Sequence, residues 1–329
     1  MGGGGMRLVE LRTIFARGWR RMISPDPGMA DVHSDLHSQM GEPHTASALT
    51  TDAAPAPAES HIESHITADA PPPPSAWSAT RLELAEALWG EGFLGPGGAT
   101  EMLRLAAPLG VSAASTLLLL GVGAGGPARV LAADLGAWVY GFDTEPELVE
   151  LAARRLHRAG AALAKRASVA LWTSRVPKAR RHACHHGLAI DALRHATFAE
   201  ILPGLAEVIR PGGQLVLQEL VVQESGADAA MAAWSELERR SMEIPTEADI
   251  TNCLAALGLD VRVVEDQSAR HSQLVLQGWQ QMLRGLDGTR PALAQAATMV
   301  AEAEAWMRRL RLMQEGRIRL VRWNAIIPG

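Results

Sequence analysis

From Trp77 onward, stretches with apolar residues at helical spacing alternate with short apolar runs of strand length. RLELAEALW and GATEMLRLAAPLG read as helices on either side of the loop GEGFLGPGG. The run Leu117 to Leu120 predicts a buried first strand, and the glycines of GVGAGG mark its turn into a helix beginning near Pro127. AWVYGFD, ASVALW and HGLAIDALRHA follow as further strands. GADAAMAAWSELERRSMEIPTEADITNCLAALG reads as two helices around Pro245, expected to cap the sheet. The stretch Ala292 to Gln314 carries Leu293, Ala297, Val300, Met307 and Leu310 near the helical period, a core or lid face. This alternation is the signature of an α/β fold, a mostly parallel sheet flanked by helices.

The first 76 residues break the pattern. MRLVELRTIFARGWRRMI, residues 6–23, sets Leu8, Leu11, Phe15, Trp19, Met22 and Ile23 on one helical face, with five arginines against one acid. Such a basic amphipathic segment is expected either to touch an anionic membrane surface or to act as a targeting peptide. A start at the internal Met6 is a further reading, and Gly18 weakens the helix. Residues 24–76 are rich in Pro, Ala, Ser, Asp and His and lack apolar periodicity, so they read as a disordered linker. The pairs His33/His37 and His61/His65 have helix-face spacing for a metal, but lack supporting ligands in a Pro-rich stretch; solvated linker is the reading taken. The expected division is therefore 1–23, 24–76 and 77–329.

The chain has 47% hydrophobic and 20% charged residues, the composition of a globular protein with core enough for an enzyme. A net charge of −5 argues against a dedicated nucleic-acid binder. Two cysteines, Cys184 and Cys253, cannot make a disulfide framework and fit a reducing compartment, so the cytoplasm is expected. No apolar run approaches the roughly 20 residues of a membrane-spanning helix.

The chemistry begins at the glycine turn. Gly121, Gly123 and Gly125 let backbone approach a ligand where a side chain would collide, and the following helix aims its first amides at that ligand. Seventeen residues after Gly126, the second strand ends in Asp143, placed to accept hydrogen bonds from ribose hydroxyls. A nucleoside-containing cofactor is implied. Gly121, Gly123 and Gly126 also satisfy the dinucleotide fingerprint, so the loop alone leaves two cofactor classes open.

LLLLGVGAGGPARVLAADLGAWVYGFDTEPELVELAARR resembles the first two motifs of class I S-adenosylmethionine-dependent methyltransferases. LPGLAEVIRPGGQLVLQELV is similar to that family's helix, turn and fifth strand, and LGLDVRVVEDQSARHSQLVLQGWQQML with GRIRLVRWNAIIPG to its last strands and intervening helix. The segment LWGEGFLGPGGATEML further resembles the lid of the small-molecule methyltransferases that act on phosphoethanolamine and glycine-type amines. The resemblance implies a Rossmann-like, seven-stranded sheet with an antiparallel last strand and a helical cap, and S-adenosylmethionine as cofactor. It places Gly121, Gly123 and Gly125 along the methionine part, Asp143 on the ribose, and Phe142 and Thr144 toward the adenine. It implies methyl transfer to a small molecule; the alternative is a catalytically inactive binding or scaffold protein of the same fold.

Several positions depart from the family. The acid usually found two residues before the first glycine is Leu119. The usual acidic contact to adenine after the third strand is missing, leaving Trp172 to stack on the base and Thr173 or Ser174 to offer a hydroxyl. Asp191 and His195, after the fourth strand, are the candidate catalytic residues, with His195 taking a proton from the acceptor. Their structural alternatives are a helix cap for His195 and backbone-amide contacts for Asp191. The basic stretch RVPKARRHACHH reads as solvated surface, and its adjacent His and Cys cannot converge on one metal ion.

Overall fold

Leu117, Leu118, Leu119 and Leu120 are at most 1% exposed, because the strand they form, β1 (Thr116–Leu120), lies inside a seven-stranded sheet. The computed structural model describes residues 77–172, 180–194, 196–224, 226, 228–286 and 291–329. The segments 1–23 and 24–76, with the proposed membrane contact of residues 6–23 and the linker histidines, lie outside the described residues. So do Thr173, Ser174 and His195.

The other strands are β2 (Trp138–Asp143), β3 (Ala167–Leu171), β4 (Cys184–Ile190), β5 (Ile209–Val222), β6 (Asp260–Asp266) and β7 (Ile318–Ile326). Their order is β3-β2-β1-β4-β5-β7-β6, with β7 antiparallel to both neighbours and the remaining pairs parallel. The chain reverses strand order on either side of β1, between β1 and β4, so a crevice opens there at the carboxyl ends of the strands. Leu120 pairs with Phe142 and Ala189, and Ile190 with Gln218, which brings the ends of β1, β2, β4 and β5 level.

The described helices are α1 (Ala79–Trp89), α2 (Gly98–Ala106), α3 (Gly126–Asp134), α4 (Pro146–Arg158), α5 (Ala161–Arg166), α6 (Phe198–Val208), α7 (Ala229–Glu238), α8 (Glu247–Ala256), α9 (Ser268–Gly285) and α10 (Leu293–Gln314). Thr197 and Glu200 form a capping box that starts α6, and Thr246 with Asp249 does the same for α8. Helix α6 buries Ile201, Leu202 and Leu205, and α8 buries Ile250 and Leu254, against Leu118, Leu120, Leu217 and Trp323 of the sheet. A second cluster joins Trp234 and Met231 of α7 to Leu312 and Met313 of α10 and to the far ends of β5 and β7.

Two expectations change. The helices around Pro245 part company: α7 packs on α10 above the sheet's carboxyl edge, whereas α8 packs on α6 and β6 as part of the sheet's cover. The RPGG turn is a bulge inside β5, with Cys184 paired to Ile209 and His186 to Gln214. Among the described residues no helix is long and apolar enough to cross a membrane, and no three His, Cys, Asp or Glu are grouped to hold a metal.

Leu119 is fully buried and does not line the cavity described below. An acid at this position would bury a carboxylate without a partner. Leu119→Asp is expected to lower the unfolding free energy by at least about 3 kcal/mol, read from the denaturation midpoint, without improving ligand binding.

Candidate active site

A cavity opens at the carboxyl edge of the sheet, between the ends of β1, β2, β4 and β5 and a roof made by α1, the loop 90–97, α2, α9 and α10. One end is organised by the turn after β1. Gly121 has φ +90°, and a Cβ there would sit 2.2 Å from the Ile190 carbonyl oxygen, so only glycine lets β1 turn this close to β4. The Gly123 amide donates to Oδ2 of Asp143 at 2.8 Å, and the Glu145 amide to Oδ1 at 3.1 Å. Burial pushes the Asp143 carboxyl up to about 6 despite those two bonds. Each carboxylate oxygen can accept a further hydrogen bond, and the residue lines the cavity.

The roof is tied to this turn. Gly126 donates to the Gly92 carbonyl at 3.0 Å, and a Cβ on either residue would strike the other's backbone. Glu86 of α1 accepts from the Gly92 amide at 3.0 Å and from Arg155 of α4, whose guanidinium also donates to the Ala124 carbonyl at 3.1 Å. One carboxylate and one guanidinium thus fasten the loop 90–97 over the glycine turn.

The other end is a network of buried charge. Asp191, at φ +49° just beyond β4, pairs with Arg240 and with Arg194 at 2.9 Å. Glu238, at the end of α7, takes a two-point contact from Arg309 of α10, with the Nε bond at 2.6 Å, and accepts from the Trp234 indole at 2.7 Å. Burial works against ionising both carboxyls, but Arg240 and Arg194 hold Asp191 well below the usual range, and Arg309 holds Glu238 at about 2. Glu219 bonds the amides of Ala192 and Leu193, and burial, then the neighbouring Asp191, push it up to about 8. Burial, then Arg309, hold His271 neutral, down to about 3.

Of the candidates drawn from the sequence, Gly121, Gly123, Asp143, Thr144 and Asp191 line this one cavity. Gly125 packs on Ala152 of α4, while Phe142 and Trp172 meet edge-to-face at 5.5 Å within the core and are not among the lining residues. Asp191 engages arginines, and the amide contacts expected of it belong to Glu219. The α6 cap is Thr197. Sequence reasoning missed Glu101, Arg194, Gln218, Glu238, Arg270, His271, Trp306 and Arg309. A usable signal exists for part of this set: Gln267, Arg270, His271 and Leu274, like Glu302, Trp306 and Arg309, recur at helical spacing and share a face with buried neighbours.

This arrangement is the fold of class I S-adenosylmethionine-dependent methyltransferases. Phosphoethanolamine N-methyltransferase 2 of Caenorhabditis elegans is 26% identical over 140 residues, covering 42% of this chain and 31% of the relative. The phosphoethanolamine N-methyltransferase 2 of Haemonchus contortus, solved with phosphomonomethylethanolamine and S-adenosylhomocysteine, superposes with a TM-score of 0.68 at 18% identity, over 77% of this chain and 59% of that one. Geranyl diphosphate C-methyltransferase from Streptomyces coelicolor gives 0.55 at 13% identity, over 69% and 78%. The [4+2]-cyclase SpnF gives 0.58 at 19%, over 75% and 94%. The chain thus spans about a third of the curated relative and under two thirds of the nematode structure. No family model matches it.

Arg155→Ala removes the guanidinium that joins Glu86 to the glycine turn, and leaves Glu86 partly buried without its charge partner. Hydrogen–deuterium exchange of residues 90–98 is expected to quicken by about tenfold, corresponding to roughly 1.4 kcal/mol of local stability, while exchange in β1 and β4 stays unchanged.

Proposed function

We propose that this chain transfers the methyl group of S-adenosylmethionine to a small-molecule acceptor. The observation that carries the reading is the Asp143 carboxylate, nine-tenths buried beside the glycine turn, held by two backbone amides and keeping acceptor capacity for a pair of neighbouring hydroxyls. A ribose supplies such a pair. Gly121 and Gly123 leave bare backbone along the wall where the methionine end would run, and Thr144 lies beside the carboxylate.

When bound, S-adenosylmethionine brings a methyl group already activated on a sulfonium. The chain's task is then to align an acceptor and exclude water. Trp89, Phe93 and Leu94 of the roof, with Trp306 of α10, supply an apolar cover for that purpose. Asp191 is unsuited to take a proton, because Arg240 and Arg194 keep it ionised far below neutrality. Its role in this reading is to hold Arg194 against the cavity. His195 remains our candidate for proton acceptance from the nucleophile.

The test is calorimetric titration of the full chain with S-adenosylmethionine and S-adenosylhomocysteine, between pH 5 and 8. An ionised carboxylate accepts from both ribose hydroxyls more strongly than a protonated carboxyl, one of whose oxygens has become a donor. With a carboxyl near 6, affinity is expected to be full above about pH 7 and to fall roughly tenfold by pH 5, where only about a tenth of Asp143 is ionised. The sign for the unliganded protein is opposite. A carboxyl raised on folding destabilises the native state when ionised, so this cost is absent below the ordinary carboxylate range and complete above about pH 6. Asp143→Asn should weaken binding at pH 7.5 and flatten its pH dependence. Absence of binding by folded protein at millimolar cofactor would sink the reading; binding without methyl transfer to any acceptor would favour the inactive alternative.

A further inference from the structure

Glu219 of β5 does not line the cavity, yet it holds part of the wall that does. The side chain is fully buried, and its Oε1 accepts from the amide of Ala192 and, at 3.2 Å, from that of Leu193. The preceding amide, of Asp191, donates to the Gln218 carbonyl at 3.0 Å. Strand β5 thus binds three consecutive amides of the turn after β4, two of them through a single side-chain oxygen. Ile190, Asp191, Ala192 and Arg194 of that turn all face the cavity. Asp191 opens it in the left-handed conformation, φ +49°, which a non-glycine residue keeps only where its surroundings enforce it.

The contacts are those of an uncharged acid. Oε1 has both lone pairs engaged, as a carbonyl oxygen can, whereas Oε2 is buried with no hydrogen-bond partner among the described residues. A carboxylate would leave charge on that bare oxygen. Leu217 and Val221, which share its face of β5, belong to the apolar cluster to which α6 brings Ile201 and Leu202 and α8 brings Ile250 and Leu254. The charged groups facing Glu219 come from two other segments. Asp191, after β4, opposes its ionisation, and Arg240, beyond α7, favours it; burial, then Asp191, prevail and push the carboxyl up to about 8. Ionisation would set Glu219 against Asp191 for one guanidinium. Arg240 binds Asp191, and its Nε is buried with no hydrogen-bond partner. A second anion behind the turn would draw that donor and weaken the hold on Asp191 and, through it, on Arg194.

We propose that Glu219 is a positioning residue for methyl transfer: uncharged, it sets the wall from Asp191 to Arg194 against which the acceptor lies, and loss of its proton slackens that wall. The proposal rests on the methyl-transfer reading and gives the site an alkaline limit that does not pass through the cofactor.

Glu219→Gln tests it, because the amide keeps a carbonyl oxygen for both backbone donors and cannot ionise, whereas Glu219→Leu removes the grip at every pH. The full-length proteins are compared at about pH 7 and about pH 9. In infrared difference spectra the wild type should lose a protonated-carboxyl band over this interval, and Glu219→Gln should not. Hydrogen–deuterium exchange of residues 190–194, corrected for the intrinsic effect of pH, should quicken about tenfold in the wild type, since the ionised share of a carboxyl near 8 rises from about a tenth to about nine-tenths. Glu219→Gln should stay slow at both pH values and Glu219→Leu fast at both. Label passed from methyl-tritiated S-adenosylmethionine to a pool of small amines, phenols and carboxylic acids should fall about tenfold in the wild type relative to Glu219→Gln, a ratio in which the acceptors' own ionisation cancels. Binding of S-adenosylhomocysteine should hold steady throughout, because Asp143 is already ionised over this interval. An unmoved band, exchange or transfer ratio, or a pH response that survives in Glu219→Gln, overturns the proposal while S-adenosylhomocysteine still binds. Should Glu219→Leu fail to fold, the wild type and Glu219→Gln decide alone. Failure of S-adenosylhomocysteine to bind the folded wild type overturns the methyl-transfer reading, and this role of Glu219 with it.

Discussion

The carboxylates of Asp191, 32% exposed, and of Glu238, buried, share three guanidiniums, and that pairing ties together the elements around the cavity. Arg194 follows β4, Glu238 ends α7, Arg240 lies just beyond it and Arg309 sits within α10. A change in the seating of any of these elements would leave a buried charge exposed to a low-dielectric surround, at a cost of several kcal/mol. An apolar cluster of the same volume would be at least as stabilising. What the charges add is a defined arrangement, since their hydrogen bonds are satisfied in one relative placement of sheet and cap.

The same division of labour explains why the cavity has two unlike ends. Beside the glycine turn, the Asp143 carboxylate is held by backbone amides, and burial pushes it up to about 6. At the other end Asp191, Glu238 and Glu101 are each paired with arginines, which hold their carboxyls below the usual range. The roof fastened by Glu86 and Arg155 spans the first end, and α10 closes the second. A ligand with a diol at one end and an acceptor with a polar group at the other fit that asymmetry.

The sheet and the turn were legible because their causes are local. Four consecutive leucines, a glycine turn and an acid closing the next strand each act within a few residues, and they specify β1, the tight approach to β4 and the Asp143 anchor. The charged end was illegible because its causes are distant in sequence. Arg309 stands in MRRLRLM, where any of its arginines reads as solvated; only the packing of α10 on α7 and β7 selects the one that meets Glu238. Asp191 was singled out by position, yet its partners Arg194 and Arg240 turn a potential base into a fixed anion. Trp172 illustrates the converse error. An aromatic at a strand end suggested base stacking, whereas its edge-to-face contact with Phe142 makes it core.

Shared architecture carries this argument only so far, since a [4+2]-cyclase superposes on the chain about as well as a geranyl diphosphate methyltransferase does. A sheet with strands in this order gives any ligand a crevice at the same edge, whatever reaction follows. What separates methyl transfer from other chemistry lies in the side chains that meet a ligand at the two ends of that crevice, Asp143 at one and Arg194, Glu238 and Arg309 at the other.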